Sequence, residues 1–347
     1  MQTPDSPERA AAPAQVVITG ASGLVGGNLA ALLTAAGHTV RCTQRRHSRI
    51  DHLAHLPIEW VHADLLDPLS LERAFRGAAV VFNCAADVRI LSRVTESLRR
   101  NNVEGSENVV AAVRAAGVPR LVHCSSVVTI GIAEGAAAAA EDAAWNLPAH
   151  GLTDGYAATK RAAEEAVLRS DVDVVVVNPA YMLGPLDARP SSGQMILNVV
   201  EGKVPGYTDG YNNFVDVRDV GRGMIAAWQR GRRGERYILG GHDLTYREFM
   251  ERVAAVAGCR APGFRVPRAL ASLIGWFGDL SERLTGEEPM LNSVKIRYAY
   301  CRGHRFSSDK ARRELGYSPG PIEPAIADAL DWFRANGMLH KVAGKTG

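Results

Sequence analysis

The sequence predicts an α/β protein with a doubly wound parallel sheet and a smaller C-terminal lobe. Short apolar runs alternate with longer helical patterns through the first half of the 347-residue chain. Continuous apolar strands separated by helices are typical of a parallel sheet that is covered on both faces. The second observation is a glycine-rich turn between the first strand and the first helix, at the edge where open α/β sheets bind ligands.

The predicted elements follow one another along the chain. Strands are predicted at residues 16–19, 39–44, 58–62, 80–83, 121–125 and 172–178. Helices are predicted at about residues 24–36, 95–116, 156–169 and 322–335, and others begin near Arg218 and Arg247. Glycines and prolines become frequent after Pro179, which indicates a less regular second lobe.

Composition places the chain among ordinary globular proteins. Hydrophobic residues make up 46% and charged residues 22% of the chain. Forty basic residues against 37 acidic residues leave a formal charge of +3. This balance gives no argument for a nucleic acid or a membrane surface as partner. The ten histidines and five cysteines form no metal-binding motif, and the odd number of cysteines indicates buried, reduced thiols.

Three further segments lead to expectations about location and packing. Residues 1–14 lack the apolar segment of a secretory signal and are predicted to be a disordered tail. No apolar run is long enough to span a bilayer, so a cytoplasmic protein without a membrane span is expected. The alanine run at residues 136–140 is predicted to be a surface insertion. Trp276 and Phe277 either fill the smaller lobe or line an apolar pocket, and packing in the lobe is favoured.

The glycine-rich turn occupies residues 19–26. Its glycines are Gly20, Gly23 and Gly26, and Ser22, Leu24 and Val25 lie between them. A pyrophosphate needs backbone N–H groups and the positive end of a helix dipole, and such a turn provides both. The first glycine permits the tight turn, the second lets phosphates approach, and the third lets the helix pack on the sheet. The turn therefore predicts a bound dinucleotide, with a plain turn as the alternative.

The end of the second predicted strand concerns the choice of nicotinamide cofactor. Enzymes that bind NAD place a carboxylate here to hold the ribose 2′-hydroxyl. This strand instead leads into Arg45 and Arg46, and the next carboxylate is Asp51. Arginines bind a 2′-phosphate through charge-assisted hydrogen bonds, so NADP(H) is predicted in preference to NAD(H).

A tyrosine and a lysine open the predicted helix at residues 156–169. Tyr156 and Lys160 are four residues apart, so both side chains lie on one face of that helix. A free tyrosine titrates near pH ~10, and a neighbouring ammonium favours the phenolate and lowers this pKa. Ser125 and Ser126 end the fifth predicted strand, where a serine hydroxyl can donate a hydrogen bond to a substrate carbonyl oxygen.

The glycine turn, serine, tyrosine and lysine, in this order, resemble those of the extended short-chain dehydrogenases, which have a Rossmann fold. The resemblance covers nearly the whole chain after the tail and extends to residues 102–105, 178–180 and 214–220. It implies Ser126 as the catalytic serine, five residues before Gly131, with Ser125 as the alternative. It implies that Tyr156 and Lys160 are catalytic and also contact the cofactor. Further cofactor contacts are implied at Asp64, Leu65, Ala85, Ala86, Pro179 and Met182.

Some positions have more than one interpretation. Asp64 resembles the acid that contacts adenine in this family, and the alternative is a helix cap. The resemblance implies that Asn102 connects the surrounding structure to the active site and is not itself catalytic. The resemblance also implies a division into a tail at residues 1–14, a dinucleotide-binding core at 15–180 and a substrate-binding lobe at 181–347. The last of these contains elements that return to the core.

Departures from the family pattern reduce the number of reactions that the resemblance implies. Val127 and Val128 stand where sugar-nucleotide dehydratases carry an Asp–Glu pair. Similarity is greatest to dihydroflavonol-reductase-like, hydroxysteroid-dehydrogenase-like and hopanoid-associated sugar-epimerase-like members. The leading hypothesis is an NADP(H)-dependent enzyme that reduces a ketone or aldehyde of a mostly apolar small molecule. The alternatives are an epimerase that retains its cofactor and acts on a sugar-like substrate, and a non-catalytic nucleotide sensor. The resemblance also implies a homodimer.

Overall fold

This computed structural model describes residues 13–339, apart from Glu134 and Ala136. The first half alternates strands and helices as its apolar pattern predicts, and all six predicted strands are confirmed to within two residues at each end. Its elements are β1 (Gln15–Thr19), α1 (Leu24–Ala35), β2 (Thr39–Gln44), β3 (Ile58–His62), α2 (Pro68–Phe75), β4 (Val80–Asn83), α3 (Glu96–Leu98), α4 (Gly105–Ala115), β5 (Leu121–Cys124), α5 (Gly155–Leu168) and β6 (Val174–Pro179). The helix predicted at residues 95–116 contains a wide π-helical turn, Arg99–Glu104, between α3 and α4.

The second half contains more regular structure than its sequence indicates. Its elements are β7 (Tyr181–Leu183), α6 (Gly193–Val200), β8 (Tyr211–Asp216), α7 (Val217–Arg230), β9 (Arg236–Leu239), β10 (His242–Thr245), α8 (Tyr246–Ala257), α9 (Arg268–Thr285), α10 (Ser293–Ala299), α11 (Asp309–Leu315) and α12 (Glu323–Ala335). The helices predicted near Arg218, near Arg247 and at residues 322–335 are confirmed as α7, α8 and α12. The strands β7 to β10 were not predicted, because segments this short show no clear period.

Seven parallel strands form the main sheet, in the order β3-β2-β1-β4-β5-β6-β9. The direction in which the strands were added reverses between β1 and β4, and a crevice for ligands opens at the carboxyl ends of such neighbours. Strand β9 comes from the second half of the chain and pairs with β6. A second sheet, in the order β10-β8-β7, combines an antiparallel and a parallel pair.

Apolar side chains cover both faces of the main sheet, which confirms the predicted fold class. Residues of α1, α7 and α11 pack on one face, where Ile18 and Phe82 are fully buried. Residues of α2, α4 and α5 pack on the other face, around Val17 and Val81. No helix in the described part of the chain is long and apolar enough to cross a membrane.

Two predictions about irregular segments meet different outcomes. Residues 1–12 of the predicted tail lie outside the described residues, whereas the carbonyl of Ala14 accepts a hydrogen bond from the Thr39 amide at 3.1 Å. The surface insertion predicted at residues 136–140 is wrong at Ala139, which is buried. The backbone of Ala139 exchanges hydrogen bonds with Arg305 and Ser307 at 2.9 Å each, so this residue belongs to the core.

A buried carboxylate, Glu164, fixes α5 to the main sheet. Its Oε2 accepts hydrogen bonds from Thr129 Oγ1 and Asn178 Nδ2, each at 2.7 Å. Its Oε1 accepts one from Arg236 Nη1 at 3.0 Å. The Glu164 side chain is 1% exposed and that of Arg236 is 20% exposed. The cluster therefore joins α5, β6, β9 and the turn after β5 through one desolvated charge.

The first turn of α5 is capped by Asp154. Its Oδ1 accepts a hydrogen bond from the Ala157 amide at 2.8 Å. Burial raises the pKa of the Asp154 carboxyl from 3.8 to about 6, and the bond from Ala157 opposes this effect. Because the folded state binds this proton more tightly than the unfolded chain, the contribution to stability is complete below pH 3.8 and is lost as the pH rises through about 6.

We expect Glu164→Ala to lower the free energy of unfolding by about 3 kcal/mol, because it leaves the Arg236 guanidinium without its carboxylate. Urea denaturation measures the change. Glu165→Ala is the control on the same helix, since Glu165 is 42% exposed and pairs with Arg161. The control is expected to stay within about 1 kcal/mol of wild type. Equal losses in the two variants would contradict the assigned role of Glu164.

We expect Asp154→Asn to raise stability at alkaline pH. Asparagine also caps helices and carries no charge, so the variant avoids burying a carboxylate. A pKa raised by about two units corresponds to at most about 3 kcal/mol in favour of the variant near pH ~8. That advantage is expected to shrink as the pH falls below about 6, as measured by denaturation across the pH range. An advantage that does not change with pH would show that Asp154 is not the titrating group.

Candidate active site

Strand β5 and helix α5 bring the three predicted catalytic side chains into one site. Ser126 follows β5, whereas Tyr156 and Lys160 lie in the first two turns of α5. The Ser126 side chain is close enough to the hydroxyl of Tyr156 to lower the pKa of that phenol. Lys160 Nζ donates a hydrogen bond to the carbonyl oxygen of Cys124 at 2.8 Å. The phenol, the hydroxyl and the ammonium therefore meet at the carboxyl end of β5.

Desolvation dominates the electrostatics of this site. Burial raises the pKa of Tyr156 above its ordinary value, and the nearby Ser126 side chain opposes that effect. Burial also lowers the pKa of Lys160. Without cofactor, desolvation outweighs the favourable contacts of Tyr156. The lowering of its pKa by the ammonium and the oxidised nicotinamide ring together stays a prediction for the cofactor-bound site. The phenol is protonated at neutral pH and can act as a proton donor.

The two serines after β5 have different surroundings. Ser126 Oγ accepts a weak hydrogen bond from the Val128 amide at 3.4 Å and caps a short 3₁₀ turn, Val127–Thr129. Ser125 is buried, and its Oγ has no hydrogen-bond partner among the described residues. Contact with Tyr156 distinguishes Ser126 from its neighbour.

Asn102, in the π-helical turn, links the loop after β4 to the catalytic helix. Its Oδ1 accepts a hydrogen bond from the Asp87 amide at 2.7 Å. Its Nδ2 donates to the Asp87 carbonyl and to Thr159 Oγ1, each at 3.0 Å. Since Thr159 lies beside Lys160 on α5, this side chain aligns the loop with the catalytic residues.

The glycine turn after β1 has the geometry that a pyrophosphate requires. Gly20 has φ +72°, and a Cβ at this position would lie 2.6 Å from the Ala85 amide nitrogen. A Cβ at Gly26 would lie 2.5 Å from the Gly20 carbonyl oxygen. Helix α1 follows Gly23, without a side-chain cap and without an acidic residue in its first turn. Its first N–H groups and its dipole thus remain available to phosphate oxygens, which fits a dinucleotide.

The other predicted cofactor positions lie mostly at strand ends. Asp64 and Leu65 follow β3, Ala85 and Ala86 follow β4, Pro179 ends β6, Met182 lies in β7, and Ser22, Leu24 and Val25 lie in the turn and at the start of α1. The helix-cap interpretation of Asp64 is wrong, because the carboxylate of Asp67 caps α2 instead. Asp64 is exposed, and its Oδ1 accepts a hydrogen bond from the Leu66 amide at 2.9 Å.

Arg45 and Arg46 are exposed in the loop after β2. The amide of Arg45 donates a hydrogen bond to Ser48 Oγ at 3.0 Å, which shapes the start of this loop. Neither guanidinium forms an ion pair with a carboxylate in the described part of the chain. Both positive charges are therefore available to an anionic group at the edge of the crevice.

Sequence reasoning missed several residues that hold the site. Glu164 carried a detectable signal, because it lies four residues after Lys160 on the same face of α5. Asn178 was noted only as part of a motif, yet its Nδ2 also donates to the Ser126 carbonyl at 3.2 Å. Arg236 carried no signal, since it lies 72 residues away from Glu164 in the chain.

Comparison with known proteins gives matches over most of the chain. The family model for the NAD dependent epimerase/dehydratase family matches residues 16–240. A Synechocystis sp. protein, named provisionally as a dihydroflavonol 4-reductase, is 34% identical over 93% of this chain and 95% of its own length. Sterol demethylase protein B of Methylococcus capsulatus is also 34% identical, over 93% of this chain and 99% of its own length.

A solved structure also matches this chain over most of its length. The structure of PA4631, a nucleoside-diphosphate-sugar epimerase from Pseudomonas aeruginosa, superposes with a TM-score of 0.78 at 29% identity. The match covers 94% of this chain and 99% of that one. Family model, relatives and fold agree with the glycine turn and the residues around Tyr156. This chain is therefore an NAD(P)-dependent enzyme that belongs to the NAD dependent epimerase/dehydratase family, within the extended short-chain dehydrogenases and reductases.

Proposed function

We propose that this enzyme uses NADPH to reduce a ketone or aldehyde group on a mostly apolar small molecule, or NADP⁺ to oxidise the corresponding alcohol. The observation that carries the proposal is the placement of Ser126, Tyr156 and Lys160 together at the carboxyl end of β5, where Lys160 Nζ donates to the Cys124 carbonyl oxygen at 2.8 Å. This arrangement has a proton donor and a second hydrogen-bond donor that can address the same oxygen atom of a substrate.

A nicotinamide cofactor, when bound, would supply hydride-transfer chemistry at the carbonyl carbon. Tyr156 donates its phenol proton to the carbonyl oxygen as that oxygen gains negative charge. Ser126 donates a hydrogen bond to the same oxygen and stabilises that charge. The Lys160 ammonium lies at the end of β5, where it would hold the ribose hydroxyls of the cofactor. The first turn of α1 would hold the pyrophosphate.

The surroundings of Tyr156 support an apolar substrate and a simple redox reaction. A buried apolar cluster lies next to Tyr156 and comprises Ile132, Leu147, Leu152 and Ala157, with Val128, Trp145 and Tyr298 packed against it. An elimination reaction needs an acid and a base at the active site. Val127 and Val128 provide neither, which argues against a dehydratase.

We expect Tyr156→Phe to lower turnover at least ~100-fold, because it removes the proton donor. Wild type and variant are mixed with NADPH and a series of apolar ketones and aldehydes, and absorbance of the reduced nicotinamide is followed. Cofactor binding, measured by nicotinamide fluorescence, is expected to persist in the variant. Tyr317→Phe is the control, since the Tyr317 hydroxyl donates to the Gly240 carbonyl at 2.9 Å, away from the site.

Three outcomes would count against the reductase. Unchanged turnover in Tyr156→Phe would remove the assigned proton donor. Cofactor retained through purification, with substrate conversion but no net NADPH consumption, would indicate the epimerase. Cofactor binding without any conversion would favour a nucleotide-sensing protein.

The preference for NADP(H) rests on the exposed Arg45 and Arg46. We expect Arg45→Ala to weaken NADPH binding about 10-fold by removing charge-assisted hydrogen bonds to the 2′-phosphate, and to leave NADH binding nearly unchanged. Titration of nicotinamide fluorescence measures both affinities. Arg73→Ala, which removes an exposed arginine from α2, is the matched control. An equal loss for both cofactors in Arg45→Ala would contradict the assignment. The cytoplasmic location and the homodimer stay predictions.

A further inference from the structure

Helix α9 packs against the protein through its small residues. A Cβ at Gly278 would lie 1.8 Å from the Leu291 carbonyl oxygen, and one at Gly275 would lie 3.0 Å from Ser293 Cα. Ala271 and Glu282 are also buried. These four positions repeat at intervals of three and four residues, so they form one face of the helix. On that face the backbone of α9 lies close to the segment at Leu291 and Ser293, and the helix buries little apolar side-chain surface there.

The large apolar residues of α9 point to the solvent. We define the outer face of α9 as Leu270, Leu273, Ile274, Trp276, Phe277, Leu280 and Leu284. Leu284 is 78% exposed, and Trp276 and Phe277 are each 57% exposed. The packing predicted for Trp276 and Phe277 is therefore wrong. A helix of a globular protein ordinarily buries its large apolar side chains, and α9 does the reverse. A contiguous exposed face of this kind marks an interaction site.

The amino-terminal end of α9 adjoins a strongly basic cavity of about 940 Å³. Arg268, the first residue of the helix, lines this cavity together with Arg265, Arg297, Arg302 and Arg305. Ile132 and Leu152, of the apolar cluster next to Tyr156, line its other side. Within the described lining Asp209 is the one carboxylate, and it pairs with Arg265 and Arg302. Five arginines against one carboxylate leave a local excess of positive charge at the amino-terminal end of α9.

Residues 1–12 and 340–347 contain just two large apolar residues, Met1 and Val342. Seven exposed large apolar side chains require a partner with an extended apolar surface. The adjoining arginines require that this partner also carry negative charge. An anionic lipid bilayer has both properties, because its acyl chains lie directly beneath phosphate headgroups.

We propose that the outer face of α9 inserts into the surface of an anionic lipid bilayer, with the arginine-lined cavity against the headgroup phosphates. Helices that lie in a membrane interface bury Trp, Phe and Leu side chains to a depth of about 5–10 Å beside basic residues. This attachment is peripheral and needs no membrane-spanning helix. The inference goes beyond the redox function and does not depend on it.

The attached helix is connected to the active site. Glu282 Oε1, on the inner face of α9, accepts hydrogen bonds from the Ser92 amide at 2.8 Å and from Ser92 Oγ at 2.7 Å. Asn292 Nδ2, before α10, donates to the Ile90 carbonyl at 2.9 Å. In the same loop, the Leu91 carbonyl accepts from the Gly155 amide at 2.8 Å. One loop thus separates the bilayer contact from the start of the catalytic helix.

Vesicle flotation tests the proposal with the full chain. The probe is phosphatidylcholine vesicles that contain about a quarter phosphatidylglycerol. We expect wild type to float with these vesicles, to bind vesicles of phosphatidylcholine alone more weakly, and to dissociate as sodium chloride is added. Phe277→Asp is expected to weaken binding at least about 10-fold. The control is Leu69→Asp on α2, where Leu69 is 67% exposed outside this face, and its binding is expected to match wild type.

A second measurement keeps the result independent of folding. Circular dichroism and thermal unfolding verify that the variants fold, and the fluorescence of Trp276 reports insertion. We expect a blue shift on vesicle addition that Trp276→Phe removes while vesicle binding largely persists. Absence of wild-type binding, or equal losses in Phe277→Asp and Leu69→Asp, would overturn the proposal. A dimer that Phe277→Asp dissociates, without vesicle binding, would show that two copies of the chain share this face instead.

Discussion

The arrangement of the active site depends on the buried charge of Glu164. A carboxylate removed from water is tolerated only when its oxygens are fully paired, and the three donors come from separate parts of the fold. Thr129 lies in the turn after β5, Asn178 in β6 and Arg236 in β9. Any shift of α5 along the sheet would break several of these bonds at once. These bonds therefore fix α5 relative to the main sheet, and they fix Tyr156 together with the helix.

A second polar network lies near the site and also fixes the elements around it, because it connects neighbouring strands of the main sheet. Thr19 Oγ1 donates to Asn83 Oδ1 at 2.6 Å, and Asn83 Nδ2 is 3.1 Å from His123 Nδ1. Burial lowers the pKa of His123, and the nearby Lys160 ammonium lowers it further. The imidazole is therefore neutral, and its Nδ1 can accept a hydrogen bond from the side-chain amide of Asn83. A neutral histidine here spares the site a second positive charge beside Lys160, while it ties β1, β4 and β5 together.

The sequence predicted the main sheet well because its strands are buried on both faces. Runs such as residues 172–178 have no polar alternation, and only a covered parallel sheet accommodates them. The pair formed by Tyr156 and Lys160 was also predictable, since it depends on helix spacing alone. Arg236 was not, because its contact with Glu164 arises when β9 joins the sheet. The burial of Tyr156, which raises its pKa in the absence of cofactor, was not predictable either, because spacing gives the neighbours of a side chain and says nothing of its burial.

Helix α9 shows why an amphipathic pattern does not by itself locate the core. Leu273, Phe277 and Leu284 follow the helical period, and such a stripe ordinarily faces inward. The opposite stripe, with Ala271, Gly275 and Gly278, is the one that packs, because only small residues permit the contact with the segment after residue 290. Both stripes are visible in the sequence. A stripe of small residues opposite large apolar ones therefore indicates a helix docked by its backbone, whose large side chains are left for a partner.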